Sequence, residues 1–159
     1  MYILPIAFAS PEYDETVQLR NDVLRKPLNL EFSIEYIEKE YTDTHLACYT
    51  NEGGLLGCLL LTPHDSKVVQ MRQVAVRDDA QRRGVGTYLV QYAEVFAKTN
   101  GYTTLMLHAR LEAVPFYEKL QYQTQGEMFE EVGIAHYAMQ KERKYDFGMH
   151  PIIKVFGKN

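Results

Sequence analysis

The sequence predicts a mixed α/β domain with the element order βααβββαβαββ. Three observations carry this. Two short apolar runs, "THLACYT" and "LLGCLLLT", flank a Gly-Gly turn, which is a hairpin signal. "VGTYLVQYAEVFAKTNG" carries its apolar residues at helical spacing. After it, strand-like and helix-like segments alternate to residue 141. At 159 residues the chain has the length of one domain with a sizeable core.

The elements follow in chain order. "YILPIAF" reads as a first strand. "YDETVQLRNDVLR" reads as a helix that ends near Pro27, because the residue before proline avoids the helical region. "IEYIEKEY" is a short helix with Ile34, Ile37 and Tyr41 on one face. The hairpin follows, and its second strand is apolar on both faces, as a covered central strand should be. "KVVQMRQVAV" is a long strand whose alternation falters at Gln73 and Val74, which points to a bulge.

The long helix places Leu89, Tyr92, Ala93, Phe96 and Ala97 on one face and Gln91, Glu94 and Lys98 on the other. Gly101 stands at its C-cap position. "TTLMLHA" is a strand, "EAVPFYEKL" a short helix, and "YQTQG" and "IAHYAMQK" are two final strands. Residues 142–159 read as a C-terminal extension with Gly and Pro breakers. Its apolar patch (Ile152, Ile153, Val155, Phe156) could pack on its own domain or on a second subunit, so a homodimer stays open.

Composition excludes several classes. With 46% hydrophobic and 24% charged residues the chain is an ordinary globular one. No apolar run reaches the ~20 residues of a membrane helix. The N-terminus lacks the basic region of a signal peptide, so a cytoplasmic protein without membrane association is expected. The net charge of −4 does not favour nucleic acid. From Lys141 onward five basic residues stand against two acidic ones, which gives +3 and leaves −7 for the body. Such a basic tail is ordinarily solvated.

Cys48 and Cys58 form no CxxC pair and the five histidines are scattered, so no metal site is expected. A hairpin with a three-residue loop would set the two cysteines opposite each other. Either a disulfide or two reduced core thiols would fit, and the lack of a secretion signal favours thiols.

The chemistry concentrates at "QRRGVGTYL". A strand leads into a polar loop, and Gly84 and Gly86 then open a helix. The first N–H groups of a helix lack internal partners and carry partial positive charge, so an anion is stabilised there. Glycine lets an oxyanion approach the backbone, and Arg82 and Arg83 add charged donors. The loop fits neither GxxxxGK(S/T) nor GxGxxG. Taken alone it could be an anion seat or a turn with two solvated arginines.

Its context resembles a family. "QVAVRDDAQRRGVGTYLVQYAEVFA" is similar to the central cofactor-binding motif of the GNAT superfamily, the Gcn5-related N-acetyltransferases: a strand ending V-x-V, a loop with Q/R-x-x-G-x-G/A, then an amphipathic helix. "ARLEAVPFYEKLQY" resembles that family's A-x-x-F/L-Y-E-K-L-G-F segment, and the flanking element order fits. "GEMFEEVGIAHYAMQK" resembles a subgroup of small bacterial members.

The resemblance implies a GNAT fold over residues 1–141, with a mostly antiparallel sheet flanked by helices. It implies acetyl-CoA as co-substrate, no metal, and a small-molecule or peptide amine as acceptor. Acetyl transfer would occur by direct attack in a ternary complex. It implies backbone contacts to pantetheine at Val74, Ala75 and Val76, and a pyrophosphate seat at Gln81, Arg82, Arg83, Gly84, Val85, Gly86 and Thr87. Tyr117 would lie near the cofactor sulfur. A phenol, titrating near ~10, is protonated at neutral pH and can support a departing thiolate that titrates near ~8.5.

The amine must also lose a proton. Gln70 stands where some members carry a glutamate base, and an amide cannot take that role. His136 is the first candidate and His108 the second. Gln121 replaces a usual glycine, and Arg110 replaces an asparagine that touches the cofactor. Acceptor walls in the family come from the first two helices and the last loop. Here these carry Glu31, Glu35, Glu38, Glu40, Glu127, Glu130 and Glu131, which suit a cationic acceptor if they are not simply solvated. A domain of the same fold that holds acyl-CoA without turnover is the alternative.

Overall fold

The structure, a computed structural model, describes residues 1–142. The C-terminal extension from residue 143 and its apolar patch lie outside the described residues. Seven strands and four α-helices follow the expected order. The strands are β1 (Tyr2–Ile6), β2 (Thr44–Tyr49), β3 (Leu55–Pro63), β4 (Val68–Val76), β5 (Thr104–Arg110), β6 (Gln123–Glu131) and β7 (Ile134–Glu142). The helices are α1 (Pro11–Arg20), α2 (Ile34–Glu38), α3 (Val85–Thr99) and α4 (Val114–Lys119). The sheet order is β1-β2-β3-β4-β5-β7-β6, and β4–β5 is its parallel pair. The chain forms two compact units. One holds Met1–Thr62 with Arg72–Ala93; the other holds Pro63–Met71 with the chain from Glu94 onward.

In the first unit β1 pairs antiparallel with β2, and β2 with β3. The hairpin closes at Gly53 (φ +93°), where Thr50 N–H donates to Gly54 O (2.8 Å). Gly57 to Leu61 of β3 are all buried, as expected of a strand covered on both faces. Gly57 is fixed by space. A Cβ there would stand 3.0 Å from Ala75 O, 3.0 Å from Leu89 Cδ1 and 3.1 Å from Val85 Cγ1. The missing side chain therefore lets β3 approach the end of β4 and the first turns of α3.

The cysteines do not face each other. Cys48 pairs with Gly57, and Cys58 with Ala47, so the register is one residue off. Adjacent residues of a strand point to opposite faces. Both cysteines are free and buried.

Ser10 caps α1 by accepting from Tyr13 N–H (3.1 Å), with Pro11 in the first turn. The helix continues as a π-helical turn over Asn21–Arg25 and a 3-10 turn over Lys26–Leu28, and it ends at Asn29 (φ +57°), two residues past Pro27. The expected apolar face of α2 is not a core face: Ile34 and Tyr41 are each 68% exposed. The segment is anchored by Tyr36 and Glu40 instead. Glu40 accepts from Arg20 Nη1 (2.8 Å) and Nη2 (2.6 Å) and from Tyr13 OH (2.8 Å). Burial opposes the charge on Glu40, yet the Arg20 guanidinium outweighs it and holds the carboxyl below its usual range. Glu40 is thus consumed inside the unit and cannot belong to an acidic acceptor wall.

In the second unit β5 and β6 both pair antiparallel with β7. The end of α3 has its expected cap, with Gly101 at φ +84° and Tyr102 N–H donating to Ala97 O (3.0 Å). One face assignment on α3 fails. Glu94, expected outside, is fully buried, and its Oε1 lies 2.5 Å from Lys141 Nζ. Lys141 is therefore a core residue of β7 rather than the start of a solvated tail. At the end of α4, Gln121 takes φ +72° and Tyr122 N–H donates to Tyr117 O (3.0 Å). The turn normally built on glycine is kept, with a glutamine held in the left-handed region.

Candidate active site

β4 changes character along its length. Its pairing with β5 runs over Val68–Gln70 opposite Thr104–Met106. Val74, Ala75 and Val76 have no register partner in β5 among the described residues. Between the two stretches Gln73 adopts φ +56°, so the break expected at Gln73 and Val74 falls on Gln73. Ala75 is buried with Leu19 and Cys58, while Val74 and Val76 are half-buried.

The loop after β4 is tied down at its base. Arg77 N–H donates to Leu56 O (2.8 Å), and Gln81 Nε2 donates to Val76 O (3.1 Å) and Asp78 Oδ1 (3.2 Å). From Arg82 the loop opens. Arg82 (φ +63°) and Gly84 (φ +83°) are both left-handed. Tyr88 N–H, donating to Gly84 O (2.9 Å), begins the helical ladder. Among the described residues, no backbone carbonyl accepts from the N–H groups of residues 82–87. Arg82 and Arg83 are exposed and make no ion pair there. Val85 is buried against the space left by Gly57, which fixes where α3 begins. The loop is therefore a positively polarised cradle of donors on a rigid base, suited to a phosphate-bearing ligand.

The second unit holds the remaining predicted residues. Tyr117 of α4 is buried, 4.9 Å from the Phe116 ring and 5.8 Å from the Tyr122 ring. Burial pushes its phenol up, so it stays protonated through the neutral range. Gln70 is not a free amide: His64 Nε2 donates to its Oε1 (2.7 Å).

The two histidine candidates meet at one carboxylate. His108 Nδ1 lies 3.0 Å from Glu131 Oε1, and His136 Nε2 lies 3.7 Å from Glu131 Oε2. Antiparallel pairing of Arg110 with His136 and of Phe129 with His136 brings β5, β7 and β6 together there. Phe129 stands edge-on to His108 (5.0 Å) and stacks on His136 (5.9 Å). The partners fix the tautomers. Ile134 O can only accept, so His136 Nδ1 carries the proton that it donates there (2.8 Å). Glu131 likewise holds the proton on His108 Nδ1, which leaves Nε2 of that ring as a base. Sequence reading named both histidines but missed that Glu131 joins them, because strand register was not legible.

Among the described residues no group of three or more His, Cys, Asp or Glu side chains could hold a metal ion, and no helix is long and apolar enough to cross a membrane.

Comparison with known proteins fits this geometry. A model of the acetyltransferase (GNAT) domain matches residues 19–143. The uncharacterized N-acetyltransferase YjcF of Bacillus subtilis is 27% identical over 138 residues, 86% of this chain and 97% of that protein. A GNAT family acetyltransferase from Elizabethkingia anophelis, solved with acetyl-CoA bound, aligns with TM-score 0.68 and 21% identity over 89% of this chain and 97% of that one. An aminoglycoside 6'-N-acetyltransferase complexed with coenzyme A aligns with TM-score 0.73 and 17% identity over 89% and 97%.

Proposed function

Because the chain belongs to the GNAT acetyltransferase family, we propose that residues 1–141 form one N-acetyltransferase domain that moves an acetyl group from acetyl-CoA to a primary amine. The observation that carries this reading is the run of open N–H donors at residues 82–87, in the loop and helix start that follow the Val74–Val76 strand end. In this reading Gln81, Arg82, Arg83, Gly84, Val85, Gly86 and Thr87 seat the pyrophosphate through backbone amides. Arg82 and Arg83 add long-range attraction. Val74, Ala75 and Val76 pair with the pantetheine arm.

The chemistry is direct attack in a ternary complex. The amine nitrogen bonds to the thioester carbonyl carbon, the oxygen takes negative charge, and the C–S bond then breaks. The left-handed turn at Gln73 supports a role for the Val74 N–H as a donor to that oxygen. Tyr117 gives a proton or a hydrogen bond to the departing thiolate, which leaves as the CoA thiol. The amine's proton goes to His136 or His108, and Glu131 stabilises the imidazolium so formed. Positioned acid and base groups contribute about 10²–10⁴ each in rate.

Gln70, already bonded to His64, favours one second reading: a domain that holds acyl-CoA without turnover. Release of CoA thiol across a panel of primary amines separates the two. Tyr117→Phe should lower turnover by about 10²-fold or more while CoA affinity stays nearly constant. An unchanged rate would reject Tyr117 as the acid. CoA binding with no turnover of any amine would leave the holding domain.

A further inference from the structure

A cluster in the first unit bears on which amine is acetylated. The Phe32 and Tyr36 rings stack 5.5 Å apart at 27°. Three guanidiniums surround them. Arg20 Cζ lies 4.8 Å from the Phe32 ring, Arg25 Cζ lies 4.4 Å from Phe32 and 5.5 Å from Tyr36, and Arg72 Cζ lies 5.9 Å from Tyr36.

Two of the three have carboxylates. Arg20 is bonded twice to Glu40. Arg72 lies 3.8 Å from Asp43 and donates to Tyr36 OH (2.6 Å) and Thr62 Oγ1 (3.2 Å). The neighbouring charges Asp22 and Lys26 pair with each other (2.7 Å). Arg25 is half-buried against both rings and has no ion pair among the described residues. The cluster therefore keeps one unmatched positive charge, and it sits on Arg25. The rings attract the guanidinium, and its N–H groups have no protein partner among the described residues and stay open to a ligand or to solvent.

The same cluster carries an unmet amide. Gln73 Nε2 donates to Tyr36 OH (3.2 Å), and Gln73 Oε1 is buried with no partner. Turning the amide over would leave its nitrogen unmet instead. A buried polar atom without a partner costs about 1–3 kcal/mol, so a ligand that supplies one is favoured.

The location follows from the reading of β4 above, on which this inference rests. Pyrophosphate at residues 82–87 and pantetheine running from Val76 back to Val74 bring the thioester to Gln73. The Arg25–Phe32–Tyr36 cluster then borders the place where the amine must enter. We propose that the acceptor carries an anionic group, in the simplest case a carboxylate beside its amine, and that Arg25 selects it. Guanidinium binds carboxylate through two parallel N–H···O bonds, and contact with the two rings restricts where the Arg25 side chain lies. This reverses the expectation of a cationic acceptor. The acidic segment that suggested it has lost Glu40 to Arg20, while Glu31, Glu35 and Glu38 are exposed.

The test uses the CoA-saturated protein and product-like probes that differ only in charge. N-acetylalanine and N-acetylphenylalanine are each titrated calorimetrically against the corresponding amide. At least one acid should bind about 10-fold or more tightly than its amide, and Arg25→Gln should bring that ratio near one without changing CoA affinity. Arg25→Lys, which keeps the charge but loses the fork, should fall between. The proposal is overturned if neither acid exceeds its amide, if neither binds, or if the ratio survives in Arg25→Gln. Failure of CoA itself to bind would instead remove the reading of β4, and this inference with it.

Discussion

Lys141 Nζ lies 2.5 Å from Glu94 Oε1, and both side chains are closed to solvent. Tyr122 OH donates to the same oxygen (3.4 Å), and its ring lies 5.7 Å from Nζ. A pair buried this deeply stabilises a fold little compared with apolar packing, but removing one partner strands a charge. Lys141→Met should therefore cost about 3–5 kcal/mol in urea unfolding. The double variant Glu94→Leu with Lys141→Met should recover most of that loss, short of the ~1–3 kcal/mol for the stranded Tyr122 hydroxyl. A single variant as stable as the wild type would mean the charges are not closed from water.

Gln121 sits at φ +72° in a turn whose hydrogen bonds are those of a glycine-capped helix end. The left-handed region costs a side-chain-bearing residue about 1–2 kcal/mol, partly offset by the larger unfolded-state freedom of glycine. Gln121→Gly should raise stability by roughly 0.5–1 kcal/mol. A lower urea midpoint would show that the glutamine side chain holds the turn in some other way.

Those two sites mark the line between what the sequence tells and what it hides. Strands, helices and the Gly101 cap follow from periodicity and local backbone preference, and these are legible over a few residues. The cradle at residues 82–87 was legible for the same reason, since a strand end, two glycines and a helix start are contiguous. Glu94 was misplaced because its helical position borders the apolar face, and only a distant lysine makes its burial tolerable. The offset of Cys48 from Cys58 is hidden because a one-residue slip in a hairpin leaves no trace in composition. In the sequence Glu131 is one of several wall glutamates, and nothing local marks Arg25. Their meaning depends on strand register and on packing between segments far apart in the chain.

The thiols give a pH signature. Burial pushes Cys48 up to about 11 and Cys58 up to about 12. An unfolded thiol titrates near ~8.5, so above that pH the unfolded chain loses protons the folded one keeps. Stability is therefore full below about pH 8 and falls as pH rises toward 12. By pH 9, before the unfolded forms of Tyr13, Tyr117 and Tyr122 ionise near ~10 and add to the effect, the two thiols should cost about 1.5–2 kcal/mol relative to pH 7. Urea midpoints at pH 7, 9 and 10 measure it, and Cys48→Ala with Cys58→Ala should flatten the slope. An equal slope in the double variant would exclude the thiols as its source.

In the proposed function, backbone amides at the start of α3 bind the pyrophosphate of CoA. Gly86→Asp puts a carboxylate on the second residue of that helix. Near a helix N-terminus an acidic side chain stabilises the fold by about 0.3–1 kcal/mol, yet it repels a bound phosphate. Calorimetric titration of CoA into wild type and Gly86→Asp, with urea midpoints on the same samples, separates the two effects. The wild type should bind, the variant's affinity should be weaker by about 10-fold or more, and stability should be unchanged or slightly raised. Wild-type protein that does not bind CoA, or a variant that binds it equally well, would show that the start of α3 is not the pyrophosphate seat.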